Sequence, residues 1–431
     1  MGISTGYGRT VTSGSVFAFD TADVINSYKG EPTTNHIYHQ NARIDSTYES
    51  YMPESGTGQV AANHPGAIRV YNINGSDISY YLNTGINISN SGVEWYNTRH
   101  AYWIYDTILK RPVVRMYNET GVWQAKYLGL GIASLNSIGA TAGTSYTVSW
   151  LQYVESLDRA AHVGVYSYST TLGYNDFHDG LQNGYNTQVN TWQRVSVTFT
   201  ATNNGQLNSG PSMYFYGHNI GGGELRIADV QLEVKTHATQ YSSVYTRSTT
   251  DALKPLAGNS SIDLTNVSFD ANAQLTFDGT DDYIDITTNF GTLSEYTIEH
   301  VSYKGSNNRM PISSRGGPLF YQYGDNSWYY THGGVAAEYY YPTTKIINGW
   351  GHWVITYNGS YVKIYRNGIF EGQQATSGTA DWTNGFKIGN YIYGSYPWNG
   401  QIAVVKMYNR ALTDGEVTQN YNKYKTKFKL S

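Results

Sequence analysis

Apolar and polar positions alternate along much of this chain, and the alternation predicts strands. In Trp192–Thr200 (WQRVSVTFT), Val195, Val197 and Phe199 fall on one side, and Arg194, Ser196 and Thr198 on the other. A period of two sends successive side chains to opposite faces of a sheet. The same rhythm runs through residues 145–153 (SYTVSWLQY), 161–168 and 225–234, with shorter pieces at 67–71, 79–82, 95–105 and 213–216. Ser15–Asp20 (SVFAFD) is a compact apolar strand followed by a turn-rich stretch. No long helical pattern intervenes, and short strands separated by turn signals predict a β-sandwich.

The last third of the chain repeats the pattern more sharply. Residues 273–286 (AQLTFDGTDDYIDI) read as strand, turn and strand, and 296–303 alternates around Ile298 and Val301. Residues 352–357 and 361–365 form a hairpin through Asn358-Gly359-Ser360, and Asn367-Gly368 makes a second tight turn; such pairs supply the positive φ that two-residue hairpins need. Further strands fall at 386–390 and 400–408. Thr413-Asp414-Gly415-Glu416 then forms a capping box, and Val417, Tyr421 and Tyr424 continue at helical spacing. The expectation is an all-β chain of two β-sandwich domains with one short C-terminal helix.

Composition sharpens this picture. The 431 residues are too many for one sandwich. Only 14% are charged, while 42 tyrosines and 46 glycines fill the difference; this mixture suits pleated surfaces and tight turns. A tyrosine ring is rigid and apolar with a water-tolerant hydroxyl, so it serves at wet interfaces as well as between strands. The net charge of −4 offers no basic footprint for nucleic acid. No apolar run reaches membrane-spanning length, so membrane insertion is not expected. Cysteine is absent, which removes disulfides and thiolate chemistry. The first residues, MGISTGYGRTVT, lack a charged-then-apolar export signal.

Several of these segments carry a resemblance. LTFDGTDDYIDI at 275–286, WVITYNGSYVKIYRNG at 353–368, FKIGN at 386–390 and WNGQIAVVKMYNRALTDGEVTQNYN at 398–422 together resemble the concanavalin A-like lectin/glucanase superfamily, laminin G-like branch. YTVSW at 146–150, WQRVSVTFTA at 192–201 and IADVQLEVKTHATQYSSVYTRS at 227–248 resemble the carbohydrate-binding-module-like jelly rolls of phage structural proteins. The lectin-like family opens with a strand like Val16–Asp20, here far from its continuation near Leu256. The resemblance therefore implies an N-terminal arm at 1–14, a first lectin-like strand at 15–34, an inserted jelly roll at 35–248 and a concanavalin A-like sandwich at 249–431; a serial arrangement, with residues 1–35 an independent arm, is the alternative. Insertion into a loop is cheap because closure entropy grows slowly with length.

Together the two resemblances imply a tailed-phage virion protein on the particle exterior, such as a fibre, neck, baseplate or capsid-decoration component. Its expected partners are other virion proteins, further copies of itself and a host surface glycan. A purely architectural virion protein and a secreted glycan-binding or glycanase accessory protein are the alternatives. Glycanases of the superfamily carry a Glu-x-Asp-x-x-Glu strand that pairs acids across the scissile bond; this chain has no equivalent, so no catalysis is expected. Sugar contact is expected from Tyr321, Tyr323, Trp328, Tyr330, Tyr393, Tyr396 and Trp398, because sugar CH faces stack on rings. Asp325, Asn326 and Asn390 would bond the hydroxyls. No cofactor is expected beyond a calcium ion, for which Asp278, Asp281 and Asp282 are the oxygen-donor candidates.

Overall fold

The computed structural model describes residues 9–36, 48–53, 68–72, 86–87, 101–117, 126–130, 138–154, 162–166, 189–201, 204–207, 214–218, 224–242, 246–304, 309–314, 319–322, 328–332, 335–340 and 349–430. The expected strand at 79–82 lies outside these residues. The described chain is almost entirely strand, with the helix Asp414–Lys425 near its end. It divides into two compact units: residues 1–32 with 248–431, and residues 33–247.

The first unit is a two-sheet sandwich. One sheet runs Ser268–Phe269, Leu275–Asp278, Asn399–Tyr408, Tyr296–Lys304, Trp350–Tyr357, Tyr361–Arg366 and Ile369–Ala375, with Ser15–Asp20 also pairing Asn399–Tyr408. The chain's opening strand thus lies antiparallel to its last, with Phe19 opposite Val405. The other sheet runs Ile284–Ile286, Phe386–Ile388, Arg309–Ser314, Leu319–Gln322, Trp328–His332 and Val335–Tyr340. Alternation explains the layer between them. Phe17, Phe277, Ile298, Trp353, Ile355 and Met407 come from the first sheet and meet Ile284, Ile312, Phe320, Tyr330 and Phe386 from the second. Trp382 and Trp398 complete this core from loops. The second hairpin forms as expected: Asn367 and Gly368 take φ of 49° and 75°, the pattern of a type I′ turn.

The opposite face of the first sheet is closed by the helix. Thr413 caps it, accepting from the Glu416 amide while Glu416 accepts from the Thr413 amide. The bidentate Arg410 pair at 2.9 and 2.6 Å helps hold the Glu416 carboxyl down to about 2. Val417, Asn420 and Tyr424 turn inward. Under them lies a polar network that the sequence reading did not anticipate. Glu299 accepts from Asn420 Nδ2 at 2.6 Å and lies 3.1 Å from His352 Nε2. Lys406, directly across the strands from Glu299, sets its ammonium 5.1 Å from the Tyr424 ring centroid. Burial alone would raise the Glu299 carboxyl, but Lys406, His352 and Asn420 lower it further than burial raises it. Residues 9–13 are stitched onto the same helix: Val11 N–H donates to Asn420 Oδ1, Tyr408 donates to the Val11 carbonyl, and Gln419 donates to the Arg9 carbonyl.

The second unit contains a five-stranded sheet in the order Trp192–Thr200, Ser145–Val154, Glu224–Glu233, Arg111–Tyr117 and Ala101–Asp106, and a four-stranded sheet of His162–Tyr166, Tyr214–His218, Lys126–Leu130 and Ile86–Asn87. Tyr146, Val148 and Trp150 are buried on one face of the long strand Ser145–Val154, the face that their spacing predicts.

Candidate functional site

The segment that follows Phe386–Ile388 carries Tyr393, the most exposed ring among the described residues of the first unit, and the half-exposed Tyr396. Gly389 begins it at a φ of 83°, against the Phe277 ring, where an added Cβ would come within 2.2 Å of Cε1. Only glycine fits there without displacing the core. Gly389 donates to the Pro311 carbonyl and accepts from the Trp398 amide, at 2.8 and 2.6 Å, so the loop is pinched shut at its base. Trp398 is 0% exposed and packs in the sandwich core. At the far end Met310 N–H donates to the Tyr396 carbonyl, and Gly394 N–H closes a turn on Tyr391.

Between these ties the tyrosines stand out. Tyr393 is 77% exposed and Tyr396 40%. Their rings meet through Tyr391, which lies 5.1 Å from Tyr393 at 74° and 6.1 Å from Tyr396 at 50°. Tyr396 also sits edge-on to Tyr321, 5.0 Å away at 85°. T-shaped contacts of this kind are favourable beyond the area they bury, so the rings brace one another. The register sets Tyr321 opposite Tyr329, and Tyr329 opposite Tyr339, continuing a tyrosine row across three strands. From residue 388 to 405 the chain has no charged side chain. Burial raises the Tyr391 phenol, helped by Tyr393 and Tyr396, so it stays a neutral donor and acceptor. The arrangement offers flat apolar faces with hydroxyls at their edges, and nothing that performs acid–base chemistry.

The expected sugar contacts divide sharply on this geometry. Tyr393 and Tyr396 come together at the surface. Tyr321 joins them by its edge, being only 8% exposed. Trp398, Tyr330 and Asn390 do not qualify as contacts. Trp398 is the plug that anchors the loop, and Tyr330 lies on the inward side of its strand opposite Phe320. Asn390 is buried with its Oδ1 taken by the Tyr391 amide and its carbonyl by Ser313 Oγ. Tyr323, Asp325 and Asn326 lie outside the described residues. Trp328 opens a strand opposite Gln322 and Tyr340, and its side chain lies outside the description. Tyr391, not among the expected contacts, is the ring that links the others.

The calcium candidates do converge: carboxylate oxygens of Asp278, Asp281 and Asp282 lie within 4.8 Å of one another. Their hydrogen bonds, however, are those of a turn. Asp282 is buried and accepts from the Asp278 amide at 2.7 Å and Ser268 Oγ at 3.2 Å, and Asp278 Oδ1 accepts from the Thr280 amide at 2.7 Å. Burial raises the Asp282 carboxyl, and the Asp278 charge adds to this. A donor set already engaged in this way fits turn chemistry better than a cation cage. Glu299 is sealed beneath the helix.

One family model agrees with the architecture of this unit. Residues 278–418 match the Laminin_G_3 family model, described as the concanavalin A-like lectin/glucanases superfamily. No curated protein sequence matches the chain. Among solved structures it is similar to the heptameric SAP-like pentraxin from Limulus polyphemus (17% identity, TM-score 0.30, covering 33% of this chain and 78% of that one). It is also similar to the receptor-binding domain of botulinum neurotoxin type G (16%, 0.33, 40% and 48%). A third is domain 4 of the arabinanase AbnA from Geobacillus stearothermophilus (16%, 0.30, 38% and 84%).

Proposed function

From a chain whose C-terminal unit holds a concanavalin A-like lectin domain, we propose a non-catalytic recognition protein that binds a glycan on the Tyr321–Tyr391–Tyr393–Tyr396 cluster. The observation that carries this reading is the pairing of high exposure with mutual bracing in one charge-free loop. Exposed rings that are already held in place lose little freedom when a sugar stacks on them, so more of the contact energy appears as affinity. Their hydroxyls remain available to bond the sugar's own. The absence of a paired-acid strand in the sequence, and the sealed position of Glu299, support binding without cleavage.

We further propose that the protein acts on the exterior of a tailed-phage particle, among other virion proteins and further copies of itself, with the middle unit a carbohydrate-binding-module-like jelly roll. The motif resemblances at 146–150, 192–201 and 227–248 support this. The pairing of Ser15–Asp20 with Asn399–Tyr408 supports the middle unit's place as an insertion. One observation favours a purely architectural role: the burial of Trp398, Tyr330 and Asn390 removes half of the expected described contacts from the surface. A glycan array probed with the pure chain and with Tyr393→Ala separates the two. Saturable binding that Tyr393→Ala weakens at least tenfold supports recognition; no binding to any glycan favours architecture. Release of reducing ends from a bound polysaccharide would refute the non-catalytic reading.

A further inference from the structure

The sheet face beneath the helix brings together an amine, an amide and a carboxyl group, all buried: Lys406, Asn420 and Glu299. Lys406 and Glu299 are directly opposed on neighbouring strands, which sets their Cβ atoms about 5 Å apart on one face. A lysine chain spans a gap of that size, and so reaches a group bonded to the facing carboxyl. The group bonded there is an amide. Asn420 Nδ2 donates to Glu299 Oε2 at 2.6 Å and to the Tyr408 hydroxyl at 3.0 Å, while Asn420 Oδ1 accepts from the Val11 amide at 2.8 Å. Every polar atom of that side chain is thus held in place. Lys406 Nζ, by contrast, makes no hydrogen bond among the described residues. It lies over the ring of Tyr424, one helical turn beyond Asn420.

A buried ammonium without a hydrogen bond is costly. Burial pushes Lys406 down toward the free amine, against the pull of Glu299 and Asp20, and a desolvated amine is a nucleophile. The amide is arranged to receive it. The Val11 N–H on Oδ1 polarises the carbonyl and stabilises the oxyanion that attack would create. Glu299, bonded to the nitrogen that would leave, is placed to carry a proton to it. Tyr408 and Tyr424, themselves buried, keep out the water that would compete.

We propose that the folded chain joins Lys406 to Asn420 by an intramolecular amide bond. The neutral amine of Lys406 attacks Cγ of Asn420. The Nζ–Cγ bond forms, the Cγ–Nδ2 bond breaks, one proton passes from Nζ through Glu299 to Nδ2, and ammonia leaves. Nothing is oxidised or reduced. Each chain reacts once, so this is self-modification and not turnover of a substrate. Oδ1 survives, which keeps Val11 tied, and the new amide N–H replaces the ammonium beside Glu299. The product fastens the strand Asn399–Tyr408 covalently to the helix that covers it. The test is the mass of the full chain after denaturation, at a resolution that separates loss of ammonia from loss of water. The wild type is lighter than its sequence by one ammonia, and its tryptic digest contains a branched peptide joining the Lys406 and Asn420 segments. Lys406→Arg, which keeps the charge and cannot attack, loses both signals. Glu299→Gln lowers the joined fraction at least tenfold. The wild-type result decides the matter even if a variant does not fold. A wild-type chain of full sequence mass overturns the proposal, as does ammonia loss without the branched peptide. Loss of water would mean that an acid such as Asp20 is the acceptor and also overturns it, and wild-type yield in Glu299→Gln overturns the proton relay.

Discussion

The two ends of the lectin-like unit's aromatic inventory use the same residue types to opposite effect. Beneath the helix, Tyr408, Tyr424, Glu299 and Asn420 are closed off from water, and Asn420 donates to both Glu299 and Tyr408. On the loop after Phe386–Ile388, Tyr391, Tyr393 and Tyr396 brace one another in the open. Coverage makes the difference. The first set lies on a sheet face that an amphipathic helix can cap; the second stands on a loop anchored by Trp398 and its backbone ties. Identical chemistry becomes structure where it is covered and, on the reading proposed above, a recognition surface where it is not. Trp398 and Tyr396, two residues apart, show both fates.

The largest way to test this contrast is to remove the anchor. Trp398→Ala leaves a cavity in the core and should cost about 3–5 kcal/mol of stability, measured by denaturant unfolding. A loss below about 1 kcal/mol would mean that the ring is a surface platform after all. On the covered face, Glu299→Gln leaves the Lys406 ammonium in the sheet–helix interface without its facing charge. Breaking such a pair should cost about 3 kcal/mol and expose the helix and residues 9–13 to hydrogen exchange first. If those amides exchange no faster than in the wild type, the network does not hold them.

Acid probes both faces of that sheet, His300 against Phe320 in the layer between the sheets and Glu299 beneath the helix. Burial depresses His300 to about 3, with His352 adding to it, so the folded state disfavours the imidazolium. The unfolded chain binds that proton from about pH 6.5 downward. Stability from this group is therefore full above pH 6.5 and is lost as pH falls toward 3. Glu299, lowered on balance by Lys406 against burial, adds its loss below the ordinary carboxylate range. Thermal melts at stepped pH should fall across this window, and His300→Asn should flatten its upper part. A smaller effect comes from the cap: Thr413→Ala should cost about 1 kcal/mol, read by denaturant unfolding. The smallest is on the open side, where Tyr393→Ala should change stability by less than about 0.5 kcal/mol.

Strand periodicity made the fold class legible because each face of the sandwich imposes its own demand on alternate residues. Val195, Val197 and Phe199 are buried as their spacing requires, and the capping box at Thr413 forms as written. The site was harder to read, for a physical reason. Alternation says that Tyr330 and Tyr329 face opposite ways but not which way is in; the register with Phe320 decides that. In loops there is no period at all, so Tyr396 and Trp398 looked alike until the backbone bonds of Gly389 separated them. The network at Glu299 was not legible because its partners, His352, Lys406 and Asn420, are distant in sequence.

The contrast between covered and open tyrosines rests most directly on one titration, the double variant Tyr393→Ala/Tyr396→Ala against the glycan that the wild-type chain binds best on an array, with the thermal melt recorded on the same samples. The account predicts an unchanged melting temperature and an affinity at least tenfold weaker. Wild-type affinity in the double variant would contradict it.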